Sequence, residues 1–263
     1  MGIGSWQVVA LSYVSYLAAV SFTRRDFARA RPALLVAAAV AWGAFVLLGG
    51  LPLSPLLSVV VPSIVLLTGY WLSGLLFVRP DVRLERWLRA VDDRVLIRSG
   101  VLERYRQSPD AVQSFFEVSY LLVYLAVPAG AATVILSGHP EHLDRFWTLV
   151  LCAEFVCYGM LPWLQTRPPR ALEPGHGTRI AGVRRLNLRL VNQASIQVNT
   201  LPSGHAAGAF ATALAVLSIS PTAGVAFLLL ALSISIATVV GRYHYVVDTV
   251  LGALVALALW LTV

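Results

Sequence analysis

The sequence predicts an all-α integral membrane protein with about eight transmembrane helices. Hydrophobic residues make up 58% of the 263 residues and charged residues only 13%, and the apolar residues are concentrated in runs. A soluble domain carries roughly 25% charged residues, so the composition excludes a soluble domain, a disordered chain and a nucleic-acid-binding protein. The net charge of +7 is therefore interpreted in terms of orientation in the membrane and attraction to anionic lipid headgroups.

Residue usage adds two expectations. All 20 basic residues are arginine, and Ala, Val and Leu are abundant, which is typical of a GC-rich and hence bacterial genome. The two cysteines, Cys152 and Cys157, lie in one apolar run. They are expected to be buried thiols on different faces of a helix, so a disulfide framework is excluded.

Eight apolar runs approach the ~20 residues that a helix needs to cross a bilayer. The runs are residues 5–22, 33–51, 62–78, 115–137, 145–164, 204–219, 222–241 and 245–262. Between the second and third runs, Pro52, Pro55 and Pro62 predict a loop or a kinked start. We therefore expect an N-terminal unit, residues 1–61, followed by a six-helix core over residues 62–263.

Residues 79–114 interrupt the apolar pattern with alternating arginine and acidic residues. Leu84, Trp87, Leu88 and Val91 follow helical i, i+3, i+4, i+7 spacing, and Val95 extends it. This pattern predicts one or two amphipathic helices on the membrane surface. A soluble-style cap over the helix bundle is the alternative interpretation.

Three polar clusters stand at the ends of late runs. They are Arg167–Arg170, Leu201–His205 and Gly241–Asp248. If each run crosses the membrane once, all three clusters reach the same membrane face, here called the arginine-rich face. Ionisable groups at the rim of a membrane are costly and are functional candidates, so we expect one shared pocket.

The residue types in these clusters suit phosphoryl transfer. Ser203 and Gly204 begin a helix, where free N–H groups favour an anion, and arginines such as Arg167 and Arg170 bind phosphate oxygens bidentately. His244 and Asp248 are four residues apart, so a carboxylate can orient a nucleophilic imidazole. A second histidine, His205, can protonate the leaving oxygen.

These motifs resemble the type 2 phosphatidic acid phosphatase superfamily, which also contains vanadium haloperoxidases. The resemblance rests on Pro202-Ser203-Gly204-His205 followed by a His-x3-Asp, and covers roughly residues 62–262. The stretch from His244 to Asp248 and the Pro-Pro-Arg ending at Arg170 are more similar to the inositol phosphorylceramide synthase and sphingomyelin synthase-like branch.

The resemblance implies a phosphohistidine mechanism without a metal or cofactor. His244 would be the nucleophile, Asp248 its orienting acid and His205 the general acid. The phosphate would be held by Ser203, Gly204, Arg170 and Arg167. Two family cations are missing: Met160 stands where a lysine is usual and Thr238 where an arginine is usual, and Arg242 is the candidate substitute.

The sequence thus predicts a membrane lipid-phosphate phosphatase or phospho-headgroup transferase. Its expected partner is a phosphorylated lipid within the bilayer, with no nucleic acid, and no oligomeric state is predicted. One alternative is an inositolphosphotransferase-type lipid synthase. A rival from another class is an anion or lipid transporter, although the inverted repeats typical of transporters are not evident in the sequence.

Arginine distribution predicts the orientation in the cell membrane. With eight spans, 19 of the 20 arginines lie on the arginine-rich face, and Arg145 alone lies opposite. The positive-inside rule therefore places the arginine-rich face, and the candidate site, in the cytoplasm. The family resemblance argues for the outer or luminal face, where many members of the superfamily act.

Cysteine accessibility tests this orientation. In a variant without Cys152 and Cys157, single Ser108→Cys and Arg179→Cys substitutions should resist an impermeant maleimide in intact cells and react after permeabilisation. Labelling of both positions in intact cells contradicts the cytoplasmic assignment. Labelling of only one contradicts the eight-span count.

Overall fold

The computed structural model describes residues 4–172 and 182–263, and these fold into thirteen α-helices without a β-strand. The first seven are α1 Ser5–Val20, α2 Arg31–Leu48, α3 Pro55–Gly74, α4 Val82–Asp92, α5 Val101–Arg106, α6 Asp110–Leu121 and α7 Val123–Leu136. The others are α8 Leu143–Gly159, α9 Pro169–Leu172, α10 Gly182–Ala194, α11 Gly204–Leu217, α12 Pro221–Val240 and α13 Val246–Trp260. The all-helical prediction is confirmed.

Each predicted apolar run is helical, but the third begins earlier than expected. α3 starts at Pro55 and contains Pro62 in its interior. Proline is favoured in the first turn, where no N–H partner is needed, and the Ser54 hydroxyl caps the helix by accepting from the Leu57 N–H at 3.4 Å. Of the two expected forms, the loop up to residue 61 is therefore wrong, and a helical start with Pro62 in its interior is observed.

The fourth run is two helices. α6 and α7 meet at Leu122 with a bend of 59°. Pro128 lies inside α7, where it lacks the N–H that would reach Tyr124 and its ring crowds that carbonyl. The proline weakens the helix directly after the break. Because of the bend at Leu122, the fourth run is a broken segment instead of one straight span.

Three helices within the described ranges, α2, α3 and α12, are long and apolar enough to cross a membrane. The bent pair of α6 and α7 passes the same test as one unit, while α1, α11 and α13 are shorter apolar helices. The protein is thus a helical membrane protein, and the count of eight spans remains a prediction.

Hydrogen bonds between helices show which ends lie together. α1 and α8 run in the same direction, because the Trp6 N–H donates to Asp144 at 3.4 Å at one end and the Tyr16 hydroxyl donates to the Gly159 carbonyl at 2.7 Å at the other. At the end of the bundle where α8 starts, the Trp147 indole donates to the Ser58 carbonyl near the start of α3. These contacts agree with alternating passage along the bundle.

α11 forms the centre of the bundle and contacts α7, α8, α12 and α13. Ten of its 14 residues are buried, mostly alanine and glycine, which allows neighbouring backbones to approach closely. A Cβ at Gly204 would clash with the ring of Tyr158 on α8, and a Cβ at Gly208 would clash with Glu154. Small residues therefore fix where α11 begins relative to α8.

The segment over residues 79–114 is helical as predicted, but its buried face differs. α4 buries Glu85, Leu88 and Asp92, whereas Trp87 and Val95 are 53% and 46% exposed. Leu88 packs against Leu201 and Tyr245 of the polar clusters. The segment is thus an amphipathic cover whose carboxylates face the bundle, and a membrane-surface position for the exposed Trp87 and Val95 remains a prediction.

Packing of α13 against the chain before α11 yields a stability prediction. A Cβ at Gly252 would overlap the backbone carbonyl of Ser203, whereas Gly43 on α2 has open space around it. Gly252→Ala should lower the free energy of unfolding by about 1–3 kcal/mol, because backbone must move. Gly43→Ala is the matched control, and thermal unfolding in detergent measures both. Equal unfolding temperatures for the two variants would contradict this packing.

Candidate active site

The three polar clusters meet at one end of the bundle, around two histidines. His244 lies in the turn between α12 and α13, and His205 lies in the first turn of α11. Their facing nitrogens, His244 Nε2 and His205 Nδ1, are 3.4 Å apart, and their rings are inclined by 60°. Asp248 Oδ2 on α13 lies 3.4 Å from His244 Nδ1. Residues separated by 39 positions in sequence thus form one constellation.

The backbone of the turn fixes His244. The N–H groups of Tyr243 and His244 both donate to the Thr238 carbonyl, at 2.8 and 3.0 Å, and Arg242 adopts a positive φ of 63°. Tyr245 caps α13, and its N–H donates to Asp248 Oδ2 at 3.1 Å. The carboxylate therefore binds both the helix start and the imidazole.

His244 is suited to nucleophilic attack. It is 5% exposed, and burial together with the nearby Arg170 guanidinium lowers the pKa of His244 to about 3. The imidazole is therefore neutral at pH 7. A carboxylate beside Nδ1 favours the tautomer with the proton on that nitrogen, which leaves the Nε2 lone pair free to attack.

Arg170 is a candidate phosphate-binding cation at the site. Its backbone N–H donates to the backbone carbonyl of Arg242 at 3.0 Å. Its guanidinium lies 5.7 Å from the centre of the Tyr243 ring. Within residues 4–172 and 182–263, no carboxylate lies in ion-pair distance of Arg170. This position fits the predicted role of a phosphate ligand.

Arg167, another predicted phosphate ligand, is held by a carboxylate of α4. Glu85 accepts from Arg167 Nε at 3.0 Å, from Nη2 at 2.8 Å and from the backbone N–H at 2.8 Å. Burial opposes ionisation, yet these hydrogen bonds lower the pKa of Glu85 below its ordinary value. The pair fixes the chain that follows α8, and a role of Arg167 in phosphate binding remains a prediction.

Arg242 is also paired with α4. Its Nη1 lies 2.6 Å from Asp92 Oδ2, and both side chains are buried. Asp92 Oδ1 accepts from the Val246 N–H at 3.0 Å, so the carboxylate bridges the turn and the start of α13. The ion pair anchors the turn that carries His244, and a role of Arg242 in phosphate binding remains a prediction.

Ser203 and Gly204 make the local contacts of a capped helix. Ser203 is fully buried, and its hydroxyl accepts from the Ala206 N–H at 3.3 Å. The Gly204 N–H donates to the Thr200 hydroxyl at 3.3 Å. A phosphate bound here would exchange with these contacts, so the predicted anion site at this helix start remains a prediction.

Sequence reasoning missed three residues that support the site: Glu85, Asp92 and Tyr120. Glu85, Leu88 and Asp92 are spaced i, i+3, i+7, which puts them on one helix face. That spacing was a signal, but the arginines around it favoured the interpretation as a helix on the membrane surface.

The described residues contain one group with the geometry to hold a metal ion, and it lies far from the histidine pair in the chain. It consists of His139, Glu141 and His142, which are exposed and precede α8. These residues lie at the end of the bundle where α8 starts, opposite the end where the histidine pair lies. The geometry around His244 and His205 therefore involves no member of this group.

Apolar helices with paired histidines at one end of the bundle define a helical membrane protein with a candidate active site. The sequence model of the PAP2 superfamily matches residues 86–262, and the chain therefore belongs to the PAP2 superfamily. Searches of curated proteins and of solved structures give no match. The match begins within α4, later than the predicted core boundary at residue 62. Members of the superfamily are phosphoesterases.

The arginine environments yield a prediction about the site. Arg170→Gln should weaken inhibition by vanadate, a phosphate analogue, at least about tenfold, because one charge-assisted contact contributes roughly 1.5–3 kcal/mol. Arg242→Gln should instead lower stability by about 3–5 kcal/mol, because it leaves Asp92 buried and unpaired. Inhibition curves and thermal unfolding separate the two effects. If the Arg242→Gln variant is stable and vanadate inhibits it more weakly, Arg242 is a phosphate ligand and not a structural anchor.

Proposed function

We propose that this protein is a lipid-phosphate phosphatase or phospho-headgroup transferase of the cell membrane, acting through a phosphohistidine at His244. The observation that carries the proposal is the alignment of Asp248, His244 and His205, with 3.4 Å between each neighbouring pair. One imidazole is oriented by a carboxylate, and the other faces its free nitrogen. This is the arrangement that nucleophilic catalysis with a separate general acid requires.

In the proposed reaction, His244 Nε2 attacks the phosphorus of the lipid phosphate. The bond between phosphorus and the lipid oxygen breaks, and that oxygen takes its electron pair together with a proton from His205. Water or an alcohol then attacks the phosphohistidine, which releases His244 and passes a proton to His205. Arg170 stabilises the charge that develops on the phosphoryl oxygens.

Hydrolysis and transfer share this first step and differ in the acceptor. Similarity of the His244–Asp248 stretch and of Arg170 to the inositol phosphorylceramide synthase-like branch supports an alcohol acceptor. Burial of His244 supports it further, because a site shielded from bulk water favours a bound alcohol over hydrolysis. The lipid chain would reach the site between helices from within the bilayer.

Phosphate release by the purified protein tests the proposal. Phosphatidic acid and polyprenyl phosphates should yield phosphate. Phosphoinositides should yield an inositol phosphate, or transfer it to a lipid alcohol when one is added as acceptor. His244→Ala should abolish turnover and the acid-labile phosphoenzyme. Asp248→Asn should retain more activity than His244→Ala, because the carboxylate orients the imidazole and does not attack.

Two reagents and one further variant sharpen the result. EDTA should leave activity intact and vanadate should inhibit it, since the proposed chemistry uses a phosphate cradle and no metal. His205→Ala should slow substrates with poor leaving groups and spare those with very good ones. Near-normal activity of His244→Ala would refute the nucleophile, and anion flux without turnover would favour the transporter alternative.

A further inference from the structure

A column of aromatic rings connects the nucleophile's turn to the second histidine. Tyr243, directly before His244, stacks on Tyr120 of α6, with ring centres 3.8 Å apart and planes within 9°. Tyr120 stacks in turn on His205, with centres 5.6 Å apart and planes within 12°. Tyr120 and Tyr243 are both buried. The ring of His205 is therefore oriented by residues outside its own helix, α11.

The far end of this column is fixed by a buried carboxylate. The Tyr243 hydroxyl donates to Glu117 Oε2 at 2.9 Å, and Glu117 lies one helical turn before Tyr120 on α6. Arg184 and Asn187 of α10 donate to the same carboxylate at 2.5 and 2.6 Å. Three donors from two separate segments thus hold Glu117 in one position, and Glu117 holds Tyr243.

Rings that stack with small interplanar angles resist rotation of their neighbours. His205 can donate its proton to a leaving oxygen only when its ring is turned correctly, because proton transfer needs a short and aligned contact. Tyr120 shields one face of this ring, while His244 meets it at 60°. Rotation of His205 would require Tyr120 to move, and Tyr120 is pressed against Tyr243.

We infer that Tyr120 is a positioning residue for His205, supported through Tyr243 by the carboxylate of Glu117. This inference rests on the proposed function, because it assigns the ring column to the step in which His205 protonates the leaving group. It predicts a defect that depends on the leaving group. Loss of ordinary packing would slow all substrates alike.

The test compares Tyr120→Leu with Tyr120→Phe, which keeps the ring and serves as the matched control. Two probes are used: phosphatidic acid, whose alkoxide leaves poorly, and 4-nitrophenyl phosphate, whose phenolate leaves well. Tyr120→Leu should lower turnover of phosphatidic acid at least about tenfold and that of 4-nitrophenyl phosphate less than about threefold. Tyr120→Phe should stay within about threefold on both probes.

A second variant keeps the inference testable if Tyr120→Leu does not fold. Tyr243→Phe keeps the ring and the Arg184–Glu117 ion pair but removes the hydroxyl that donates to Glu117, and it should show the same leaving-group selectivity with a smaller loss. Equal losses on both probes in every folded variant would overturn the positioning role. Vanadate binding followed by thermal shift adds a readout without turnover, and weakened binding in Tyr120→Leu but not in Tyr120→Phe supports the role.

The controls separate the two proposals. If His244→Ala is inactive and His205→Ala shows leaving-group selectivity while Tyr120→Leu does not, the proposed function stands and the inference fails. If His244→Ala retains normal turnover on both probes, the proposed function fails first and the positioning role fails with it.

Discussion

Pairing of buried charges is the constraint on which the site depends. Two buried arginines near the histidines lie against carboxylates of other elements, Arg184 against Glu117 and Arg242 against Asp92. The partly exposed Arg167 lies against the buried Glu85. An unpaired charge in such surroundings costs several kcal/mol, so each pair ties two segments together. The turn carrying His244 and the chain after α8 are held in this way by α4, a helix that contains no predicted site residue.

The same constraint distinguishes Arg170 from the other arginines. A guanidinium already neutralised by a carboxylate has less to gain from a phosphate, because the phosphate must displace the carboxylate or share the donors. Across the described part of the chain, Arg170 has no such competitor and lies beside His244. Charge neutralisation thus separates the paired arginines, which hold segments together, from Arg170, which is proposed to bind phosphate.

Sequence patterns predicted the helices and their common end well, because apolar run length and alternation are local properties. The histidine pair followed from the order of the runs along the chain. The bend at Leu122 and the start of α3 at Pro55 were missed, because neither interrupts the apolar pattern of the sequence. The partners of Arg167 and Arg242 were missed for a different reason: Glu85 and Asp92 lie 82 and 150 residues away, and only tertiary packing brings them together.

The exposure of α2 affects how fast its sequence can change during evolution. Of its 18 residues, Leu34 alone is buried, whereas α11 buries ten of 14. A lipid-facing position accepts almost any apolar side chain of adequate hydrophobicity, but a position between helices accepts only one size. Neutral substitutions should therefore accumulate faster in α2 than in α11. Sequence similarity to relatives should persist longer in α11. The family match starts at residue 86 and covers about two thirds of the chain, which includes α11 and leaves out α2.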